Sequence, residues 1–141
     1  MKPEPLDDLR NMFASGRSII WFALPFILAF AGIGWMGAAV HHYEQLTGRH
    51  FYGLAAQHYS VPDWGMKYYP GGEAIEMWTV EVPAWSTLSA ILLTAFVAVL
   101  VERKVRSVAW VVALLAWHVI AAVGFFMVAG WYSINVTGVF I

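Results

Sequence analysis

Three long runs without a charged residue set the strongest limit on what this chain can fold into. They cover residues 19–40, 84–101 and 108–131. As α-helices that rise about 1.5 Å per residue, they would span roughly 33, 27 and 36 Å, close to the ~30 Å thickness of the hydrocarbon core of a bilayer. A soluble helix of such length would carry a polar stripe along one face, and none of the runs has one. We predict an all-α integral membrane protein with three transmembrane helices.

The composition supports this prediction and excludes several classes of protein. Hydrophobic residues make up 60% of the chain and charged residues only 12%, which is about half the charged fraction of a typical soluble domain. The chain has no cysteine, so disulfides, thiolate zinc sites, iron–sulfur clusters and covalently attached c-type haem are excluded. Its net charge of −1 provides no excess of positive charge for binding nucleic acid. The expected partners are lipid and other integral membrane subunits.

The distribution of basic residues predicts an orientation. The N-terminal segment 1–18 and the short turn 102–107 together hold six of the eight Lys and Arg residues, whereas the long segment 41–83 holds only Arg49 and Lys67. Basic residues are enriched in short cytoplasmic segments. We therefore expect segments 1–18 and 102–107 in the cytoplasm and segments 41–83 and 132–141 outside, in a bacterial inner membrane.

The outer loop 41–83 is longer than an ordinary connection, and loops of this length are usually functional or disordered. It is rich in Tyr and Trp, which settle at the level of the lipid headgroups, so we predict a folded aromatic cap on the outer membrane surface. An interfacial belt without further function is the alternative. The aromatic residues are Tyr43, Phe51, Tyr52, Tyr59, Trp64, Tyr68, Tyr69 and Trp78.

One ionisable residue lies near the middle of the third run. His118 is the eleventh of the 24 residues in 108–131, and ionisable side chains at that depth are costly and by default functional. A neutral imidazole can ligate the iron of haem b or the magnesium of a (bacterio)chlorophyll, and it can hydrogen-bond a quinone. We predict a cofactor contact at His118, Trp117, Ala122 and Phe125. The structural alternative is a hydrogen bond between helices, from His118 to Ser86, Ser89 or Thr94.

The remaining histidines all fall in the outer loop and suggest a metal site. Imidazole and carboxylate groups suit copper or zinc, although their spacing matches no HExxH pattern. Histidines that only make hydrogen bonds at the interface are the alternative. The candidate copper ligands are His41, His42, His50, His58 and Glu44.

Small residues in the first run predict helix packing. Gly34 and Ala38 are four residues apart, so they form a smooth patch that another helix can approach closely. Residues 32–37 also match GxGxxG formally, but a nucleotide-binding fingerprint needs a preceding strand and a solvated helix N-terminus, and this segment lies inside a predicted span.

The function predicted from these features is that of an accessory subunit. The sequence has no Ser/His/Asp or Cys/His set, no phosphate-binding loop and no pair of intramembrane carboxylates, so we do not expect catalysis by this chain alone. We expect a small subunit of a hetero-oligomeric membrane complex of respiratory or photosynthetic electron transfer, with a structural or assembly role. The alternatives are a subunit of a copper-dependent membrane oxidase or monooxygenase that uses the outer histidines, and an oligomeric channel or transporter protomer.

Overall fold

A computed structural model describes residues 2–47 and 77–134 of the chain. Within these ranges the elements are α1 (Pro5–Arg10), α2 (Gly16–Thr47), a π-helical turn (Met77–Glu81), α3 (Val82–Glu102) and α4 (Val108–Tyr132). These ranges contain no strand, so the all-α prediction is confirmed for the part of the chain that the structure describes. Most of the predicted aromatic cap lies outside the described residues.

The three long helices are the predicted membrane spans. Gly16–His42, Trp78–Glu102 and Val108–Tyr132 are each long and apolar enough to cross a membrane, and the predicted runs lie inside them. The described residues thus contain the three predicted membrane-spanning helices, as expected of a multi-pass membrane protein. Only 28% of the most apolar window of each span is buried within the bundle, so most residues of these windows are at least partly exposed on its outside.

Two apolar clusters form the core, because α2, α3 and α4 all pack against one another. The cluster near turn 103–107 consists of Phe22, Ala98, Trp110 and Leu114. The cluster toward the other end consists of Ala29, Met36, Val40, Val80, Ile91, Ala122, Phe125 and Ala129. On α4, His118 lies between Leu114 of the first cluster and Ala122 of the second.

Helix α2 approaches α3 closely at Gly32. A Cβ atom built on Gly32 would lie 2.3 Å from Oγ1 of Thr87 and 2.6 Å from its Cγ2. By contrast, a Cβ built on Gly34 meets nothing within 4 Å, and Ala38 is exposed. The close contact between α2 and α3 is therefore made at Gly32, two residues before Gly34. Packing of another chain's helix against Gly34 and Ala38 stays a prediction.

Candidate functional site

His118 is buried in the middle of the bundle with one ring nitrogen unpaired. The residue is 1% exposed, and its Nδ1 lies 2.9 Å from the backbone carbonyl oxygen of Leu114. Because a carbonyl only accepts, Nδ1 carries the proton and Nε2 carries the lone pair. Nε2 is buried and has no hydrogen-bond partner among the described residues. His118 therefore presents one unsatisfied acceptor inside the core.

The predicted hydrogen bond between helices is not formed. Thr94 donates its hydroxyl to the carbonyl of Ala90 at 2.8 Å, within its own helix. Ser86 and Ser89 lie on the exposed side of α3. The polar contact of His118 is therefore made within α4, to Leu114.

The structure places three of the four predicted cofactor residues on one face of α4. Ala122 and Phe125 are buried on the face of His118, and both belong to the apolar cluster that also contains Ile91. Trp117 is exposed at the surface of the bundle and turns toward α2. Three of the predicted cofactor residues therefore lie in the core, whereas Trp117 lies at the boundary between α4 and α2.

The indole of Trp117 has the protein partner that its N–H requires. Its Nε1 donates to the carbonyl of Phe22 at 2.9 Å, and its ring centroid lies 5.3 Å from that of Phe26. This contact is made beside Pro25, which lies inside α2 and has no N–H to donate to the carbonyl of Trp21. Trp117 therefore supports α2 at its proline.

The surroundings of His118 discriminate between the predicted ligands. A proton donated from Nδ1 to a backbone carbonyl is the arrangement that orients metal-ligating histidines, and the free Nε2 lone pair suits a metal or a hydroxyl donor. It does not suit a quinone carbonyl, which is itself an acceptor. At 1% exposure the ring also has no open face for a flat macrocycle, so ligation requires α2 or α3 to move aside.

Two grooves run along the outside of the bundle. The groove between α2 and α3 has a volume of about 310 Å³, and Ser86 and Thr87 are among its lining residues. The groove between α2 and α4 has a volume of about 190 Å³ and an entirely apolar set of lining residues, among them Phe26, Phe30 and Gly124. Neither groove is lined by His118.

The outer histidines that the structure describes do not assemble a metal centre. His41 and His42 are exposed, and Nε2 of His41 accepts a hydrogen bond of 2.9 Å from the side-chain amide of Gln45. Among the described residues, no group of three or more His, Cys, Asp and Glu could hold a metal ion. His50, His58 and the side chain of Glu44 lie outside the described part, so the copper site stays a prediction.

A buried polar cluster at the other end of the bundle was not predicted from the sequence. Asp8 of α1 accepts a hydrogen bond of 2.8 Å from the backbone N–H of Ser107 and one of 3.2 Å from Nη1 of Arg106. Ser107 is the N-cap of α4, and its hydroxyl accepts from the backbone N–H of Trp110 at 3.2 Å. Asp8 thereby fastens α1 to the start of α4.

The second carboxylate of this cluster is Glu102, the last residue of α3, which is 1% exposed. Its Oε1 accepts hydrogen bonds from Nε of Arg17 and, at 3.1 Å, from the indole of Trp21. Its Oε2 lies 3.4 Å from Nε of Arg106. The spacing of Glu102 and Arg106, four residues apart, was the only local signal for this cluster, because the other partners are distant in sequence.

The ionisation of Asp8 follows from these contacts. Burial raises the pKa of its carboxyl group, but the hydrogen bonds from Ser107 and Arg106 lower it by more, so the pKa lies below its ordinary value. The contribution of ionised Asp8 to stability is therefore complete above the pKa of the unfolded chain. It is lost as the pH falls through the lowered pKa of the folded chain.

Comparison with known proteins identifies no related family. No family model matches the sequence, and no curated protein and no solved structure is significantly similar to it. The function therefore has to be inferred from the residues themselves.

Proposed function

We propose that this chain is an accessory subunit of a larger membrane complex and that it binds a transmembrane helix of another subunit along its α2–α3 groove. Two serines carry the proposal. Ser86 and Ser89 are the ninth and twelfth of the 25 residues of the span Trp78–Glu102, and both face outward. Neither hydroxyl has a hydrogen-bond partner in the described part of the chain, whereas Thr94 bonds a carbonyl of its own helix.

An unpaired hydroxyl is costly at this depth, because the hydrocarbon core contains no water to satisfy it. A lipid tail cannot satisfy it either, because it has neither donors nor acceptors. A neighbouring helix with polar side chains or exposed carbonyl groups can do so. A hydroxyl can also bond a carbonyl of its own helix, as Thr94 does, but Ser86 and Ser89 do not do so among the residues that the structure describes, so both are available to a helix partner.

The adjacent face of α2 has the shape that a docking helix needs. Ala31, Gly34 and Ala38 are all exposed, and they recur at a spacing that keeps them on one side of a helix. Ala31 lines the same groove as Ser86. Small residues allow two backbones to approach closely, and hydroxyl groups then bond across the interface.

We further propose that the complex belongs to respiratory or photosynthetic electron transfer in a bacterial inner membrane, with the N-terminus cytoplasmic. The clustering of basic residues at one end of the bundle supports this orientation, and the unpaired Nε2 of His118, a potential metal ligand, supports a redox setting. The copper content of the purified complex distinguishes this proposal from the copper-oxidase alternative. The oligomeric state of the extracted protein distinguishes it from the channel alternative.

Gly34→Leu is expected to release the partner subunits that co-purify with the chain after mild detergent extraction. Gly124→Leu is the matched control. A Cβ on Gly124 also meets nothing within 4 Å, but Gly124 lines the groove between α2 and α4. Ser86→Ala and Ser89→Ala should each weaken retention roughly 3- to 30-fold, the value of one hydrogen bond between helices. A homo-oligomer without companions, or equal losses in both glycine variants, contradicts the proposal.

The cofactor contact at His118 is the second candidate, because its Nε2 lone pair is unpaired. If Nε2 ligates a haem or chlorophyll in the assembled complex, the purified complex has a Soret or pigment absorption band. His118→Ala should remove this band. Trp117→Phe, next to His118 but turned toward α2, should retain it. An identical spectrum in the His118 variant, or a complex without pigment, rejects ligation.

A further inference from the structure

The basic end of the bundle carries a cationic surface that neither the α2–α3 groove nor His118 uses. We call Arg17, Arg103 and Lys104 the basic patch; all three are exposed. Two carboxylates at this end of the bundle, Asp8 and Glu102, are buried and paired with arginines. Among the exposed charges of residues 2–18 and 103–107, the acids Glu4 and Asp7 are outnumbered by cations, so the net exposed charge at this end is positive; the exposed cations are Lys2, Arg10, Arg17, Arg103 and Lys104.

The three residues of the basic patch lie around Glu102. Its Oε1 accepts from Nε of Arg17, and Arg103 and Lys104 follow Glu102 directly in the chain. The side chain of Arg17 is nonetheless 60% exposed, because only its Nε is engaged among the described residues. Its two terminal nitrogens keep the planar donor geometry that suits a phosphate group.

Exposed apolar side chains lie at the same end of the bundle, on the N-terminal segment that also carries Arg17. Leu6 on α1 is 74% exposed and Phe13 is 59% exposed. The ring of Phe13 makes an edge contact with that of Phe22, with centroids 5.7 Å apart, so it lies alongside the first turns of the spanning helix α2. Asp8 holds the opposite side of α1 against Ser107. The N-terminal segment therefore lies across the end of the bundle with apolar groups facing outward.

We propose that the basic patch binds the phosphate of an anionic phospholipid headgroup, while Leu6 and Phe13 enter the upper acyl region of the same leaflet. Cations next to exposed apolar groups match a lipid, which has both a charged headgroup and an apolar tail. A free phosphate ion would use only the cations. Each cation near an anionic lipid surface contributes about fivefold to affinity, and this contribution is screened by salt.

The test compares lipid binding by the purified full-length chain or its complex in detergent, using native mass spectrometry with phosphatidylglycerol and with phosphatidylcholine. Arg103→Gln combined with Lys104→Gln should weaken phosphatidylglycerol binding roughly 25-fold at low salt, at about fivefold for each cation. These two residues make no ion pair with the described residues, so the fold should be retained. Lys2→Gln removes a cation outside the patch and should change binding less than twofold.

Three results would overturn the proposal. The first is equal retention of phosphatidylglycerol and phosphatidylcholine by the unmodified chain. The second is a loss with Lys2→Gln as large as a single substitution in the patch produces, because that indicates diffuse attraction. The third is full competition by millimolar inorganic phosphate, because that identifies a simple anion site. Each outcome is independent of whether partner subunits bind the α2–α3 groove.

Discussion

Arg106→Gln should lower the free energy of unfolding by about 3–5 kcal/mol, the cost of leaving a buried charge without its partner. The guanidinium of Arg106 lies 3.2 Å from Oδ1 of Asp8 and 3.4 Å from Oε2 of Glu102. It also donates to the hydroxyl of Ser15 and stacks over the ring of Trp110, 5.1 Å from the centroid. Glutamine is too short and uncharged to replace these contacts.

Thermal or SDS unfolding of the purified protein measures this effect. Arg103→Gln is the matched control, because Arg103 lies in the same turn but is exposed, and surface substitutions usually change stability by less than about 0.5 kcal/mol. Adding Asp8→Asn to Arg106→Gln should recover part of the loss, because Asp8 is then no longer a buried charge without a cation, whereas Glu102 keeps Arg17 as its partner. Similar unfolding of the Arg106 and Arg103 variants would show that the two carboxylates do not depend on Arg106.

Gly32→Ala should destabilise the bundle by about 1–3 kcal/mol, the usual cost of inserting an extra group into a packed contact. The added methyl would lie 2.3 Å from Oγ1, 2.6 Å from Cγ2 and 2.8 Å from Cβ of Thr87. Thr87 is β-branched and stiff, so the clash has to be relieved by separating α2 from α3.

Gly34→Ala controls for the change in helix propensity, because its added methyl meets nothing within 4 Å. It should be neutral or stabilising, since alanine favours a helix by about 1 kcal/mol over glycine. Thr87→Ala, which deletes the two closest atoms, should partly rescue Gly32→Ala in a double-mutant cycle. Equal effects of alanine at positions 32 and 34 would contradict the close approach of the helices.

The spans could be predicted from the sequence because their signal is local. A run free of charge and long enough for the bilayer defines a helix without reference to any neighbour. The third span shows this best, since α4 covers Val108–Tyr132 against a predicted 108–131. Burial of His118, Ala122 and Phe125 on one face likewise follows from helical periodicity.

The tertiary contacts could not be predicted, because they depend on how the helices cross. Spacing alone identifies Gly34 and Ala38 as a smooth patch, but which glycine meets α3 depends on the rotation of α2, and Gly32 takes that position. The pairing of Asp8 with Ser107 joins residues 99 positions apart. The hydroxyls of α3 were the expected partners of His118, but its hydrogen bond is made to the carbonyl of Leu114 on α4 itself.

The link between Asp8 and Ser107 also orders the assembly of the chain during synthesis. Asp8 leaves the ribosome first, whereas Ser107 emerges 99 residues later, at the start of α4. Until Arg106 and Ser107 have been synthesised, Asp8 has neither the guanidinium nor the amide that pairs with it. Docking of α1 therefore follows the synthesis of turn 103–107, and a nascent chain halted before this turn leaves α1 undocked.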